Sequence, residues 1–273
     1  MDRPYTVMGI VNVTPDSFSD GGAFLDADAA IAHALELVEQ GAGILDIGGE
    51  STRPGAEPVS EREELRRVLP VLEGLAAEGV EARISIDTSK AAVAAAAIER
   101  GAGIVNDVTA LRADPEMAGV VAAAGVGCCL MHMLGEPRTM QKDPRYADVV
   151  QDVRAFLSER TDYAVGAGIA QDAIMLDPGI GFGKTVAHNL ALIDRLDEIV
   201  ELGSPVVIGT SRKSFIATVI RDAGGAPDSV DRLGGTIATN LIAMERGASV
   251  FRVHDVGHVS DALALAAATF GAA

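Results

Sequence analysis

The segment RISIDTSKAAVAAAAIERGAGIVND, residues 83–107, contains one complete strand–helix–strand unit. Two short apolar runs, residues 83–87 and 103–107, are predicted strands, and the stretch between them follows a helical pattern. A strand followed by a helix and a second strand is typical of a parallel sheet. This segment therefore predicts an α/β fold.

The same unit recurs along the whole chain. Strands are predicted at residues 6–13, 43–48, 83–87, 103–107, 127–132, 173–177, 205–209 and 249–254, each followed by a helical pattern. Eight such alternations predict a (β/α)8 TIM barrel, and the 273 residues, 48% of them hydrophobic, suit one domain spanning residues 1–273. A doubly wound open sheet is the alternative, because alternation alone does not separate the two folds.

Composition narrows the class of protein. The net charge of −17 would repel phosphate backbones, so nucleic acid is not an expected partner. The N-terminal sequence lacks the apolar stretch of a secretory signal, which predicts a cytoplasmic protein without a membrane partner. Cys128 and Cys129 are adjacent in a predicted strand and would point to opposite faces, so we expect packing roles rather than a disulfide or a metal site.

Polar residues stand at the C-terminal end of every predicted strand, where a TIM barrel binds its ligands. They are Asn12, Glu50, Asp87, Asn106, His132, Asp177, Arg212 with Lys213, and Arg252 with His254. Helix capping is the alternative explanation for Asp, Asn, Ser and Thr, and it is favoured for Thr88, Ser89 and Asp107. A structural role is favoured for His132.

Capping does not explain Arg53, Lys213, Arg252 and His254, because cations are unfavourable at the positive end of a helix dipole. An anionic ligand does explain them, and the group indicates a phosphate or pyrophosphate site. Exposed ion pairs with neighbouring carboxylates are the alternative.

The glycine-rich segment DPGIGFGKT, residues 177–185, is not a nucleotide-binding loop. A Walker A motif needs glycine where Pro178 stands, and the dinucleotide fingerprint needs glycine where Lys184 stands. Both nucleotide-binding motifs are therefore disfavoured.

Eight strings along the chain resemble those of dihydropteroate synthase, and they occur in that family's order. The strings are NVTPDSFSDGG from Asn12, GGESTRPG from Gly48, SIDT from Ser85, NDV from Asn106, MHM from Met131, DPGIGFGK from Asp177, SRKSF from Ser211 and RVHDV from Arg252. The resemblance spans essentially the whole chain. It implies a barrel, commonly a homodimer, that joins 6-hydroxymethyl-7,8-dihydropterin pyrophosphate to 4-aminobenzoate in folate synthesis with Mg²⁺ bound.

The resemblance also implies roles for individual residues. Asp87, Asn106 and Asp177 would line the pterin pocket, with Lys213 on the ring carbonyl and Arg252 stacked on the ring face. Lys213, Asp177 and Arg252 are the expected catalytic residues. The remaining expected contacts are Asn12 for Mg²⁺, Thr52, Arg53, Arg252 and His254 for the diphosphate, and Phe18, Pro54, Phe182 and Ser214 for 4-aminobenzoate.

Two other functions fit a pterin-binding barrel. A corrinoid-linked pterin methyltransferase would use a similar pocket, but it has no need for the SRKS string or a diphosphate site. A non-catalytic pterin-binding protein would be expected to lose Asn12 or Lys213, and this sequence has both.

Overall fold

The computed structural model describes residues 4–14, 23–51, 56–225 and 232–270. Within these ranges the strands are Thr6–Asn12 (β1), Ile44–Gly48 (β2), Arg83–Asp87 (β3), Ile104–Asp107 (β4), Gly127–Met131 (β5), Ile174–Asp177 (β6), Val207–Ile208 (β7) and Val250–Val253 (β8). The α-helices are Ala23–Glu39 (α1), Glu61–Ala77 (α2), Ala91–Ile98 (α3), Met117–Ala124 (α4), Val149–Gly166 (α5), Val186–Asp194 (α6), Asp197–Val200 (α7), Ser214–Asp222 (α8), Leu233–Glu245 (α9) and Val256–Phe270 (α10). A 3₁₀ turn, Gln171–Ala173, precedes β6.

The eight strands form one parallel sheet in the order β6-β5-β4-β3-β2-β1-β8-β7. A parallel bridge between Leu176 and Val206 joins its two ends, and the Leu176 N–H donates to the Pro205 carbonyl at 2.9 Å. The sheet therefore closes into the predicted (β/α)8 barrel, and the open-sheet alternative is wrong. Strand β7 is shorter than the predicted 205–209, and Pro205, its predicted first residue, has no N–H to donate to a neighbouring strand.

Side-chain alternation along the strands divides the core into two parts. An inner cluster fills the barrel, and it consists of Met8, Ile44, Ile104, Cys129, Met175, Val207 and Val250. A larger cluster lies between the strands and the helices, and it contains Cys128. The two cysteines are buried, free and on opposite faces, which confirms their predicted packing role.

Helix ends follow local sequence signals. The Ser60 hydroxyl caps α2 by accepting the Glu63 N–H at 3.3 Å, and the Glu63 carboxylate is held by Arg66 and Arg67.

Among the helices that the structure describes, none has the length and apolar character needed to cross a membrane.

Strand register brings the predicted site residues to one rim of the barrel. Asn12 pairs with Gly48, Gly48 with Asp87, and Asp87 with Asn106, so four consecutive strands end at the same level. Asn12 lies four residues beyond Met8 and Asn106 two beyond Ile104, so both lie on the strand face of the inner cluster. The polar residues at the strand ends therefore lie next to the apolar inner cluster and form a polar site at this end of the barrel.

Candidate active site

The centre of the site is a network of hydrogen bonds around Arg252. Its Nε donates to Oδ2 of Asp46 at 2.6 Å, and its Nη2 donates to Oδ2 of Asp87 at 2.7 Å. The same Asp46 oxygen accepts from Nδ2 of Asn106 at 3.0 Å. Strands β2, β3, β4 and β8 thus contribute to one cluster, and three predicted residues, Asp87, Asn106 and Arg252, are brought together in it.

Burial controls the charge of this network. It raises the pKa of Asp87 to about 7, and the nearby Asp46 charge acts in the same direction while Arg252 opposes it. Burial by itself would lower the pKa of Arg252, but the carboxylates of Asp46 and Asp87 outweigh it and hold that pKa above the usual range. The guanidinium is therefore a permanent cation, whereas Asp87 exchanges a proton near neutral pH.

Asp177 and Lys213 form the second half of the site. Oδ1 of Asp177 accepts the Gly179 N–H at 2.7 Å, and Nζ of Lys213 donates to the Ile180 carbonyl. Nζ also lies 4.3 Å from the centre of the Phe182 ring. Burial raises the pKa of Asp177, which the Lys213 charge opposes, and burial lowers the pKa of Lys213 to about 8.

The glycine-rich turn after β6 packs against the segment after β5. Gly179 has φ +68°, and a Cβ there would lie 1.9 Å from the His132 carbonyl oxygen, so the close approach requires glycine. Lys184, on the same turn, points inward and lies 3.0 Å from both His132 Nδ1 and the Phe182 carbonyl oxygen. Lys184 therefore cross-links the turn after β6 to the segment after β5.

Burial shifts both partners of this cross-link. It lowers the pKa of Lys184 to about 7, and it lowers the pKa of His132 to about 3 with help from the Lys184 charge. His132 is therefore neutral near pH 7, and its ring contacts Phe156 edge-on with centroids 4.9 Å apart. The contacts agree with the predicted structural role of His132.

His254 is oriented by Ser211 across the β7–β8 rim. Nδ1 of His254 lies 3.0 Å from Oγ of Ser211, and the His254 backbone N–H donates to the same oxygen at 3.2 Å. When the hydroxyl donates to Nδ1, the imidazole proton resides on Nε2. Arg212 donates through Nε to Asp255 at 3.0 Å, so this strand-end cation is used in an ion pair.

The ends of β2 and β7 complete the rim. Glu50 binds Lys90 and accepts the Val59 N–H at 3.0 Å, and Lys90 also contacts Glu64 at 2.5 Å, so Glu50 ties the segment after β2 to α2 and α3. Ser214 is the exposed first residue of α8, directly after Lys213.

Asn12, the last residue of β1, is half-buried at the rim. Its amide oxygen is a hard ligand of the kind that Mg²⁺ accepts alongside water and phosphate oxygens. Within residues 4–14, 23–51, 56–225 and 232–270, no group of three or more His, Cys, Asp or Glu residues could hold a metal by itself. Four predicted contacts, Phe18, Thr52, Arg53 and Pro54, lie outside the described residues.

Sequence reasoning missed Asp46 and Lys90. Asp46 is a charged residue inside the apolar strand ILDIG, two positions before Gly48 and hence on the inward face. That position was the available signal for Asp46. Lys90 directly precedes α3, and its contacts with Glu50 and Glu64 are long-range, so no local pattern marks it.

A family model described as pterin binding enzyme matches residues 8–254. This chain belongs to the pterin-binding enzyme family. Every site residue described above lies within that match or at its last position, His254. Arg252, Asp87 and Asn106 are thus arranged on the scaffold of a pterin-binding barrel.

Relatives within the family extend over nearly the whole chain. The chain is 48% identical over 262 residues to the dihydropteroate synthase of Mycobacterium leprae, covering 95% of this chain and 92% of that protein. The dihydropteroate synthase of Xanthomonas albilineans solved with 4-aminobenzoic acid is 48% identical with a TM-score of 0.89, covering 98% of this chain and 94% of that one. A structure of the Xanthomonas enzyme in complex with 7,8-dihydropteroate is 45% identical with a TM-score of 0.85 and the same coverage.

Proposed function

We propose that this chain is a dihydropteroate synthase. It would join 6-hydroxymethyl-7,8-dihydropterin pyrophosphate to 4-aminobenzoate, giving 7,8-dihydropteroate and pyrophosphate. The observation that carries the proposal is the convergence of Arg252, Asp87 and Asn106 opposite Asp177 and Lys213 on a pterin-binding barrel. Close relatives of the chain are named for this activity and one is solved with its product.

The pterin subsite follows from the donors and acceptors at the rim. A pterin edge presents a fixed row of N–H donors and acceptors, which the carboxylates of Asp87 and Asp177 and the amide of Asn106 complement. The Lys213 ammonium, which donates to the Ile180 carbonyl here, would exchange that partner for the ring carbonyl of the pterin. The planar guanidinium of Arg252, held by two carboxylates, offers a flat surface for stacking.

The reaction needs stabilisation of charge more than it needs a base. Breaking the bond between the pterin CH₂ group and the pyrophosphate oxygen leaves positive charge on the electron-rich dihydropterin, which the buried carboxylates of Asp87 and Asp177 stabilise. The departing anion would be held by Arg252 and His254, together with Thr52 and Arg53 as the sequence predicts. The neutral arylamine nitrogen then bonds to the CH₂ carbon and releases its proton to water.

Magnesium is the cofactor that we propose for this site. When bound, Mg²⁺ would neutralise charge on the pyrophosphate, and Asn12 would supply an oxygen ligand. The donor set suits this arrangement because a single amide oxygen leaves the other positions to water and phosphate oxygens.

The 4-aminobenzoate subsite would lie beside Lys213. The Phe182 ring, close to Nζ of Lys213, would form one apolar wall with the predicted Phe18 and Pro54. Ser214 at the N-terminus of α8 would hold the carboxylate, because backbone N–H groups there point toward an anion. Sulfonamides, which copy the ring and the acid, would compete at this position.

Pyrophosphate release by the purified protein tests the proposal. With the dihydropterin substrate and Mg²⁺, release should require 4-aminobenzoate, and mass spectrometry should detect dihydropteroate in equal amount. Protein that binds the dihydropterin without making this product would support the non-catalytic alternative. Methyl transfer from methyltetrahydrofolate to a corrinoid protein would support the methyltransferase.

The homodimer and the cytoplasmic location stay predictions. Light scattering coupled to gel filtration measures the mass of the protein in solution against the 28.1 kDa of one chain. A mass of one chain at micromolar concentration would contradict the dimer.

A further inference from the structure

Asp46 is the one member of the Arg252 network that neither the sequence motifs nor the proposed chemistry uses. Its side chain is fully buried on the inward face of β2. Oδ2 accepts two hydrogen bonds, from Arg252 and Asn106, and Oδ1 has no partner among the described residues. A buried carboxylate with an unsatisfied oxygen is costly, so its presence here calls for a reason beyond packing.

The first effect of Asp46 is on the plane of Arg252. A guanidinium with one carboxylate partner can still rotate about that contact. Here Nε is fixed by Asp46 at 2.6 Å and Nη2 by Asp87 at 2.7 Å, from two different strands. Two anchors on separate strands define the orientation of the guanidinium plane, on which a pterin would stack.

The second effect is on the amide of Asn106. An asparagine amide has a donor end and an acceptor end, and either orientation fills the same space. Asp46 accepts from Nδ2, so the amide oxygen of Asn106 must point the other way. The Asp46 carboxylate, which has no proton to donate when ionised, therefore selects which end of Asn106 is available to a ligand.

We infer that Asp46 is a positioning residue of the pterin subsite, which fixes the stacking plane of Arg252 and the amide orientation of Asn106 without touching the substrate. The inference rests on the proposed function, because it concerns the ligand that these two residues bind. It predicts that loss of the Asp46 charge weakens the binding of the dihydropterin and leaves the binding of 4-aminobenzoate nearly unchanged.

The charges around Asp46 give a second readout. Asp46 interacts electrostatically with Arg252 on β8 and with Asp87 on β3. Glu64 on α2 and Asp107 on β4 also raise the pKa of Asp87. Asp177 on β6 also raises the pKa of Arg252. The Asp46 charge contributes to the raised pKa of Asp87, after burial and against Arg252. Removing it should move the pKa of Asp87 downward.

The test is Asp46→Asn, an isosteric change that removes the charge and introduces an N–H donor. Residue 46 then holds Arg252 through a weaker, neutral acceptor, and it no longer selects one orientation of the Asn106 amide, because it can donate as well as accept. The Kd for the dihydropterin substrate, measured by fluorescence titration with Mg²⁺, should rise by about 10- to 100-fold, as expected when binding groups are misplaced by a fraction of an ångström to an ångström. The KM for 4-aminobenzoate should stay within about twofold of the parent value, because a change at one site has little effect on binding at an independent site. The pH at which pterin binding is half lost on acidification should shift downward.

Asp107→Asn is the matched control. Asp107 is also fully buried, and it lies next to Asn106, but its carboxylate accepts from the Thr109 and Leu111 N–H groups at 2.8 and 2.9 Å and closes a turn. This variant should lose stability in urea yet keep its pterin Kd within about twofold of the parent protein.

A double variant tests the route of the effect and does not depend on the single variant folding. In an Arg252→Gln background, Asp46 no longer faces a cation, so adding Asp46→Asn should raise the stability in urea. The further loss of pterin affinity should be smaller than in the parent protein. Losses that multiply in full would show that Asp46 does not act through Arg252 and would overturn its role in fixing the guanidinium plane.

The outcomes separate the inference from the proposed function. A parent protein that does not bind the dihydropterin refutes the function. A parent that binds it, with a folded Asp46→Asn variant unchanged in Kd and in the pH midpoint, refutes the inference alone.

Discussion

Two lysines, the buried Lys184 and the half-buried Lys213, lie on neighbouring turns of the barrel, and burial lowers the pKa of both. Lys184, 3% exposed, contacts His132 and the Phe182 carbonyl, both of them protein groups in the interior. Lys213 is less deeply buried, and it donates to the Ile180 carbonyl beside Asp177 and the Phe182 ring. A shifted pKa therefore does not by itself identify a catalytic lysine, and the position of each lysine relative to the strand-end network separates the two roles.

Replacing Lys213 should have the largest effect. Lys213→Ala is expected to lower turnover at least about 100-fold while the fold stays intact, because the proposed mechanism places the ammonium against the substrate in the transition state. Steady-state kinetics measures the loss, and circular dichroism with thermal unfolding checks the fold. Near-normal turnover would remove Lys213 from the mechanism.

Asp177→Asn should also lower turnover at least about 100-fold, because it removes the buried negative charge that we propose stabilises the pterin cation. The amide oxygen of the variant can still accept the Gly179 N–H, so the turn after β6 should be retained. The same kinetic assay measures the effect. Turnover within a few-fold of the parent would mean that Asp177 binds the turn and takes no part in the reaction.

The pH dependence should show two limbs. The pKa of Asp87, raised to about 7, makes pterin binding fall as pH drops below that value. The pKa of Lys213, lowered to about 8, makes its ammonium donor disappear as pH rises above it. We expect kcat/KM for the dihydropterin to fall by about tenfold per pH unit well outside this window. A flat profile between pH 5.5 and 9.5, roughly 1.5 units beyond each limb, would contradict both assignments.

Lys184→Met should have the smallest effect on activity. The change leaves His132 Nδ1 without its partner, so the free energy of unfolding should fall by about 1–3 kcal/mol, while kcat/KM changes less than about tenfold. Urea unfolding measures the first quantity. A loss of activity as large as that of Lys213→Ala, in a folded variant, would erase the distinction between the two lysines.

The stability of the same variant should differ from the parent in a pH-dependent way. The folded-state pKa of Lys184, about 7, lies below its ordinary value of 10.5, so the unfolded chain binds more protons between these values. Parent stability attributable to Lys184 should therefore increase as pH rises from 7 toward 10, relative to Lys184→Met. An unchanged difference between the two proteins at pH 7 and pH 9 would contradict the lowered pKa.

The sequence predicts the barrel well because alternation and strand ends are local patterns. Asp87, Asn106, Asp177 and Arg252 all stand within the last two positions of apolar strands, so a parallel register places them at one rim. The bounds of β7 were harder to predict. Pro205, its predicted first residue, accepts the Leu176 N–H of β6 through its carbonyl, but no regular ladder forms there.

Contacts between distant segments could not be read from local patterns. Asp46 lies 206 positions from Arg252 and 60 from Asn106, and the strand-end rule overlooks a residue in the middle of a strand. The glycine spacing argues against a phosphate loop at Lys184, but the contact of this lysine with His132, 52 positions away, depends on how two turns pack.

The strand pairing between β6 and β7 is the weakest among the described strands of the barrel. Elsewhere neighbouring strands share a ladder, whereas here the described residues show one bridge and the hydrogen bond from Leu176 to Pro205. The glycine-rich turn and the turn that carries Lys213 both leave the sheet at this seam. A weakly paired strand boundary opens at low free energy, so amide protons there should exchange early. The change of partner proposed for Lys213, from a protein carbonyl to the substrate, would then disturb little of the remaining barrel.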